Sequence, residues 1–193
     1  MKTPFLLLAA LPLAGCISFA AKPPPSLLTL SADASVPVGQ DQSSGTAKSV
    51  TIQVPSVPQS LATARVPVQA TPTSIAYVKN ALWAEPPARL FARLLSDTMT
   101  ARTGRVVLSG AQSTIDPGAR LSGELRSFGL DAATQSAVVV FDASLIRVNT
   151  TTIEKRRFEA HVPVGAIDAT SAAPAISQAA NQVAVQVADW VGR

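Results

Sequence analysis

Hydrophobic residues repeat along this chain with two different periods, and each period predicts one kind of secondary structure. Alternating apolar and polar positions are typical of a half-buried strand, whereas apolar residues three or four positions apart are typical of an amphipathic helix. Strands with their apolar positions facing a core are predicted in these segments: residues 27–30, 50–54, 66–68, 75–77, 105–108, 121–125, 136–149 and 158–162. We expect two hairpins to join the middle segments.

The long segment at residues 136–149 indicates which side of the predicted sheet is buried. Every second residue is apolar on one face, whereas the other face is mixed. We therefore expect these residues to line the core: Ala137, Val139, Phe141, Ala143 and Leu145. Residues 31–49, which are rich in Ser, Gly, Asp and Gln, are predicted to form a mobile loop.

Two amphipathic helices are predicted from the helical period. The first begins at the prolines at 86 and 87 and extends to about Arg102, and Gly104 supplies a left-handed stop. The second follows capping residues at 168–171. The apolar stripes of the two helices are Leu90, Phe91, Leu94, Leu95 and Met99, and then Ile176, Ala180, Val183, Val187, Trp190 and Val191. We predict an α+β fold, in which a mostly antiparallel sheet forms one layer and two amphipathic helices pack on it.

The first sixteen residues have a different pattern. A lone lysine and a short apolar run precede Leu13, Ala14, Gly15 and Cys16, which resemble the lipobox of bacterial lipoproteins. The run is too short to cross a bilayer and has the length of a signal h-region. The alternatives are an ordinary secretory signal with an incidental cysteine, or a buried core helix. Cys16 is the only cysteine, so its lipidation leaves no thiol for a disulfide.

This resemblance divides the chain into three parts. Residues 1–15 are a lipoprotein signal peptide, residues 16–26 are a lipidated cysteine with a proline-rich tether, and residues 27–193 are a single folded domain. In the lipoproteins that the segment resembles, the cysteine carries acyl chains such as palmitate, which anchor the protein stably. Ile17 lacks the acidic character that retains such proteins at the inner membrane. We therefore expect an anchor at the periplasmic face of the outer membrane.

Charge and residue types exclude several classes of function. The formal net charge is +4, but no basic run is longer than Lys155, Arg156 and Arg157, and no aromatic residues alternate with it to stack bases. We therefore expect no nucleic-acid partner. A single histidine, His161, and a single cysteine are too few for a zinc site, and no nucleophile or phosphate-binding motif is present. The sequence predicts no enzymatic activity, no metal and no cofactor. The basic run is read as an exposed turn, with a contact surface as the weaker alternative.

The segment from Tyr77 to the prolines at 86 and 87 resembles a family signature: a tyrosine, Trp83, Glu85 and Pro86 in order. From physical chemistry alone, Tyr77 and Trp83 are expected to pack in the core more readily than to form a binding patch. The signature, together with the strand at 121–125, the segment at 158–163 and the final helix ending in Trp190, resembles the ABC-type transport auxiliary lipoprotein family. That family includes the paraquat-inducible auxiliary lipoprotein of intermembrane lipid transport.

The resemblance implies a non-enzymatic outer-membrane lipoprotein that works with an ABC permease and its ATPase, and with a mammalian cell entry (MCE) domain protein that carries lipid across the periplasm. It implies no catalytic residue. One hypothesis is a docking component, which could be a homo-oligomeric ring of identical subunits. The alternatives are a lipid-binding module that holds an acyl chain in its own pocket, and a structural envelope lipoprotein without a transport role.

Overall fold

A mixed sheet forms one layer of the domain, and two helices form the other. The computed structural model describes residues 26–116 and 118–192, so Cys16, the signal peptide and nearly all of the predicted tether lie outside the described residues. The strands are β1 (Ser49–Ile52), β2 (Arg65–Thr71), β3 (Ser74–Leu82), β4 (Val106–Leu108), β5 (Ala119–Asp131), β6 (Ser136–Ile146) and β7 (Ile153–Pro163). The helices are α1 (Pro87–Thr103) and α2 (Ala169–Gly192), with short 3₁₀ turns at Gln59–Leu61 and Gln112–Thr114.

β5 organises the sheet because it pairs along both of its edges. On one edge β6 runs antiparallel to β5 over nearly its whole length, and β7 pairs antiparallel with β6. The other edge is shared, since β1 pairs in parallel with the beginning of β5 and β2 pairs in parallel with its end. β4 adds to β1 in parallel, and β3 adds to β2 antiparallel. The sheet is therefore mixed, whereas the sequence predicted a mostly antiparallel one.

Both predicted helices form, and local sequence explains where they begin and end. Pro86 is the N-cap of α1 and Pro87 begins the helix, where a missing amide hydrogen costs nothing. Gly104 ends α1 with φ of 65°, and its N–H donates to the Thr100 carbonyl at 2.9 Å. Before α2, the carboxylate of Asp168 accepts a hydrogen bond from the Ser171 amide at 2.8 Å, which is the chief reason that its pKa is lowered.

The helices cover the face of the sheet that the sequence predicted to be buried. All five core-facing residues predicted on β6 are buried, and so are the predicted apolar stripes of α1 and α2. Aromatic rings join the two layers, with Phe91 of α1 lying 5.3 Å from Phe141 of β6, and Trp190 of α2 lying 5.5 Å from Phe158 of β7. The prediction of a two-layer α+β domain is confirmed.

Some predicted strand details are wrong. Residues 27–30 form only an isolated parallel bridge, between Leu28 and Trp83. β4 and β5 are not a hairpin, because β1 lies between them. The alternation at 75–77 marks the exposed side of β3: Ile75 is 48% exposed and Val78 is buried. A register shift and the positive φ of Asn80, 58°, interrupt the alternation of this strand.

Neither helix covers the opposite face of β5, β6 and β7. We call this surface the open face. Cross-strand pairing places mainly polar residues on it, in neighbouring rows: Ser122, Ser144 and Lys155, and then Glu124, Asp142 and Arg157. The fold thus presents an apolar side to the helices and a polar side to solvent.

Candidate functional site

Trp83 lies at the junction where β3 leads into α1. Its side chain is 2% exposed, and its ring centroid lies 5.4 Å from that of Phe128 on β5. The indole Nε1 donor has no hydrogen-bond partner among the described residues. An unpaired buried donor costs about 1–3 kcal/mol. The packing of this ring must therefore outweigh that cost.

The other signature residues are less buried than Trp83. The exposed carboxylate of Glu85 accepts hydrogen bonds from Nη2 of Arg93 at 2.8 and 3.1 Å, which braces the first turns of α1. Pro86 supplies the N-cap already described. Tyr77 is half-buried, and the guanidinium of Arg65 lies 3.9 Å from the centroid of its ring. Trp83 is therefore the one fully buried residue of the signature, with Glu85 and Pro86 in the turn that follows it and Tyr77 six positions before it on β3.

The segment that follows the predicted tether is bound at this junction. We call residues 28–33 the strap. The amide of Leu28 donates to the Leu82 carbonyl at 2.8 Å, and the amide of Ala84 donates to the Leu28 carbonyl at 2.8 Å. Leu28, Leu30 and Ala32 pack against the core. The backbone beside Trp83 thus holds the beginning of the strap.

The end of the strap is held by Asn181, a buried polar residue of α2. Its Oδ1 accepts a hydrogen bond from the Asp33 amide at 2.9 Å, and its Nδ2 donates to the Ser31 carbonyl at 2.8 Å and the Ser177 carbonyl at 3.0 Å. Asn181 is 4% exposed. Sequence reasoning missed this residue; the one available signal was an amide side chain on the apolar side of a predicted helix.

The interface between α2 and the sheet is closely packed. From the sequence alone, a pocket for an acyl chain is possible where small residues such as Ala137 and Ala160 face the core. Instead, small residues of α2 lie against them, and many side chains of this interface have no accessible surface: Ala137, Val139, Ala179, Ala180, Val183, Ala184, Val187 and Ala188. No water-sized space adjoins such side chains, so the space for an acyl chain is already filled here.

The open face carries a cluster of paired charges. Arg157 of β7 binds Asp142 of β6 with two hydrogen bonds, of 2.6 and 2.7 Å. Arg126 lies 3.6 Å from Asp142 and 3.8 Å from Glu124. The hydrogen bond from Arg157 is the main cause that lowers the pKa of Asp142, and the charge of Arg126 lowers it further. Because these groups are partly exposed, they order the surface more than they stabilise the fold.

The basic run lies within β7 and is not a turn, so its side chains point to opposite faces. Lys155 and Arg157 lie on the open face, opposite Ser144 and Asp142, whereas Arg156 lies opposite Ala143 on the helix side. The guanidinium of Arg156 is 5.2 Å from the ring of Phe158. A shallow groove of about 790 Å³ crosses the open face at this run, between β7 and residues 53–56.

The other chemically interesting side chains do not form a centre. His161 is exposed on β7 and pairs with Glu159. Among residues 26–116 and 118–192, no three His, Cys, Asp or Glu side chains are grouped closely enough to hold a metal ion. Within the same ranges, no helix has both the length and the apolar character that crossing a membrane requires.

Comparison with known proteins adds a family and a fold. The model of the family described as "ABC-type transport auxiliary lipoprotein component" matches residues 28–188. The crystal structure of protein XCC0632 from Xanthomonas campestris is similar with a TM-score of 0.68 and 19% identity, covering 86% of this chain and 94% of that one. The crystal structure of an uncharacterised protein has a TM-score of 0.60 and 16% identity, covering 76% of this chain and 92% of that one. No curated protein matches. The two crystal structures establish the fold, and the family match covers the domain from the strap to α2.

Proposed function

Because the chain belongs to the ABC-type transport auxiliary lipoprotein component family, we propose that it is the docking lipoprotein of an intermembrane lipid transport system. In this proposal it is anchored at the periplasmic face of the outer membrane and receives an MCE-domain protein that is driven by an ABC permease and its ATPase. The family is one of auxiliary transport components, which implies a non-catalytic role. The observation that carries the proposal is the family match over residues 28–188.

The packing of the domain favours docking over lipid carriage. A carrier needs space for an acyl chain, and the interface of α2 with the sheet is filled by interlocking small side chains such as Ala137, Ala180 and Ala184. The open face, in contrast, presents charged and hydroxyl side chains over three adjacent strands. Such a surface is suited to recognising another protein.

The strap supports the proposed anchor. Only Leu27 separates the predicted tether from residues 28–33, and these residues are held to the domain at both ends, at Trp83 and at Asn181. A lipid on Cys16 would therefore be connected to the rigid body through only a short stretch of chain. Tethering a docking protein to a membrane raises its effective concentration near its partner, so even a weak contact is occupied.

The proposal is tested with the full chain, tagged at its C-terminus and expressed in its own cells. After mild detergent extraction, we expect the MCE-domain protein, the permease and the ATPase to be enriched with the tagged chain. Cys16→Ser should abolish both outer-membrane fractionation and this enrichment. Ser18→Ala, two residues away, is the matched control and should change neither. Light scattering of the extracted protein then measures whether the docking component is a ring or a single subunit.

Two results would contradict the proposal. If a deletion strain keeps normal lipid trafficking and none of the three transport proteins is enriched, the structural-lipoprotein alternative is favoured. If the purified chain instead retains one phospholipid per subunit through gel filtration, the lipid-binding alternative is favoured.

A further inference from the structure

An exposed aliphatic patch lies at the end of the sheet where β5 begins. Pairing places Arg120 of β5, Ile146 of β6 and Ile153 of β7 in one row of the open face. Val148, just beyond β6, is 46% exposed, and Ile153 is 56% exposed. Together with Thr150 these residues line a concavity with a volume of about 370 Å³. Grouped exposed aliphatic side chains on a folded domain mark an interaction surface more often than isolated ones do.

The cations around this patch are not neutralised. Arg120, and Lys155 in the next row, have no carboxylate within 4 Å in the part of the chain that the structure describes. Glu154, the nearest acidic residue in sequence, lies in the next position of β7 on the helix side and binds Arg147 at 2.7 Å. The patch therefore combines apolar contact area with uncompensated positive charge, in contrast to the paired charges around Asp142.

A neighbouring groove adjoins the patch and carries one basic and one acidic residue. It has a volume of about 400 Å³, shares Gly118 and Val148 with the patch, and is also lined by Lys48. The acidic residue in this groove, Asp116, already accepts hydrogen bonds from the Ser49 hydroxyl at 3.0 Å and the Gly118 amide at 3.1 Å. Because the two donors are neutral, Lys48 and Asp116 together add no net formal charge to the groove, and the positive charge of the patch comes from Arg120 and Lys155.

The patch also lies away from the point where the chain enters the domain. The bridge between Leu28 and Trp83 is parallel, so the strap arrives in the direction in which β3 runs. β3 runs antiparallel to β2 and therefore opposite to β5, so the chain enters from the end of the sheet where β5 finishes. The patch is at the other end, where β5 begins. A surface placed there points away from the entering chain.

We propose that this patch, formed by Ile146, Val148 and Ile153 with Arg120, binds an acidic protein segment that inserts an apolar side chain into the concavity. Carboxylates of the segment pair with Arg120 and Lys155, which steers the encounter and fixes its register. The concave shape and the distance from the entry point favour a protein over the anchoring membrane as the occupant. That the segment belongs to the MCE-domain protein rests on the proposed function.

The test is photo-crosslinking in intact cells with the full, membrane-anchored chain. A benzophenone amino acid replaces Ile153 in one strain and, as the matched control, Ile75 in another, since Ile75 is 48% exposed and lies near the opposite end of the sheet. We expect an adduct with the MCE-domain protein from position 153 and none from position 75. Adding Arg120→Glu should reduce the adduct about tenfold or more. Lys79→Glu, the same charge change on an exposed residue of β3, should leave it unchanged.

Each other outcome overturns a defined part of the reasoning. An adduct from position 75 only would overturn the patch and leave the proposed function standing. The same holds if the MCE-domain protein co-purifies with the chain but position 153 gives no adduct. Absence of both adduct and co-purification overturns both. A phospholipid adduct at position 153 assigns the patch to a membrane instead. An adduct that survives Arg120→Glu in a protein of unchanged thermal midpoint overturns the role given to charge.

Discussion

Replacing Trp83 with alanine tests whether the junction between β3 and α1 is a structural centre of the domain. A buried tryptophan removes about 150–250 Å² from water. At about 25 cal/mol per Å², this burial is worth about 4–6 kcal/mol, and the value is an upper bound because unfolded chains already bury some of this surface. Trp83 is 2% exposed and contacts Phe128, so little of the burial is lost to solvent. We expect Trp83→Ala to lower the free energy of unfolding by about 3–5 kcal/mol.

Trp83→Phe separates packing from the unpaired indole donor. Phenylalanine keeps most of the ring contact with Phe128 and removes the Nε1 hydrogen that has no partner among the described residues. Removing the cost of the unpaired donor offsets part of the free energy lost with the smaller buried area. We therefore expect Trp83→Phe to lower the free energy of unfolding by less than about 2 kcal/mol. Both variants are measured by denaturant unfolding of the domain, followed by circular dichroism.

The comparison of these two variants refutes the reasoning in either of two ways. If Trp83→Ala costs less than about 1 kcal/mol, the ring is not a core residue in solution. If Trp83→Phe costs as much as Trp83→Ala, the indole donor has a partner that the packing argument ignores. Loss of transport with unchanged unfolding energy would assign Trp83 to docking instead.

Three further predictions address the anchor, the strap and the charge cluster. Cys16→Ser should leave unprocessed precursor or a released periplasmic protein, and mass spectrometry of the mature N-terminus should find acyl chains only on the wild type; a processed, membrane-extracted variant contradicts this. Asn181→Ala should cost about 1–3 kcal/mol and speed hydrogen exchange of the Asp33 amide, because the strap loses its side-chain partners; unchanged exchange there contradicts the role of the strap. Because the pKa of Asp142 is lowered, its contribution to stability is present above its unfolded value of about 3.9 and is lost as pH falls through the lower folded value. Asp142→Asn should therefore reduce the loss of unfolding free energy at acid pH. A loss equal to that of the wild type would show that the ion pair of Asp142 with Arg157 adds nothing to stability.

The elements that the sequence predicts well are those whose signals are local. α1 has prolines at its start, a glycine at its end and an apolar stripe between them, and α2 has a capping aspartate. The buried face of β6 is visible because its positions are all apolar from Ala137 to Leu145, whereas the alternate positions include Asp142 and Ser144. Each of these signals depends on residues within a few positions of one another, so no knowledge of the rest of the chain is needed.

The features that the sequence does not predict depend on contacts between distant residues. The parallel pairs of β1 with β4 and β5 join residues more than 50 positions apart, and no periodicity reports them. The basic run predicts an exposed turn, yet Lys155 and Arg157 lie on the open face of β7 and Arg156 lies beside Phe158. Asn181 looks like an ordinary polar helix residue until the strap lies against it.

The contacts of the strap set an order of events in the folding of the domain. Asp33 is 148 positions from Asn181, so the end of the strap is secured only after α2 has folded. Contacts between residues that are distant in sequence form late in folding. Until α2 docks, Ser31 and Asp33 lack the partners that Asn181 provides, and the strap is held only by the backbone hydrogen bonds of Leu28 beside Trp83. Closure of the far half of the strap is therefore a final step of folding, which locks the first described segment of the chain onto its last helix.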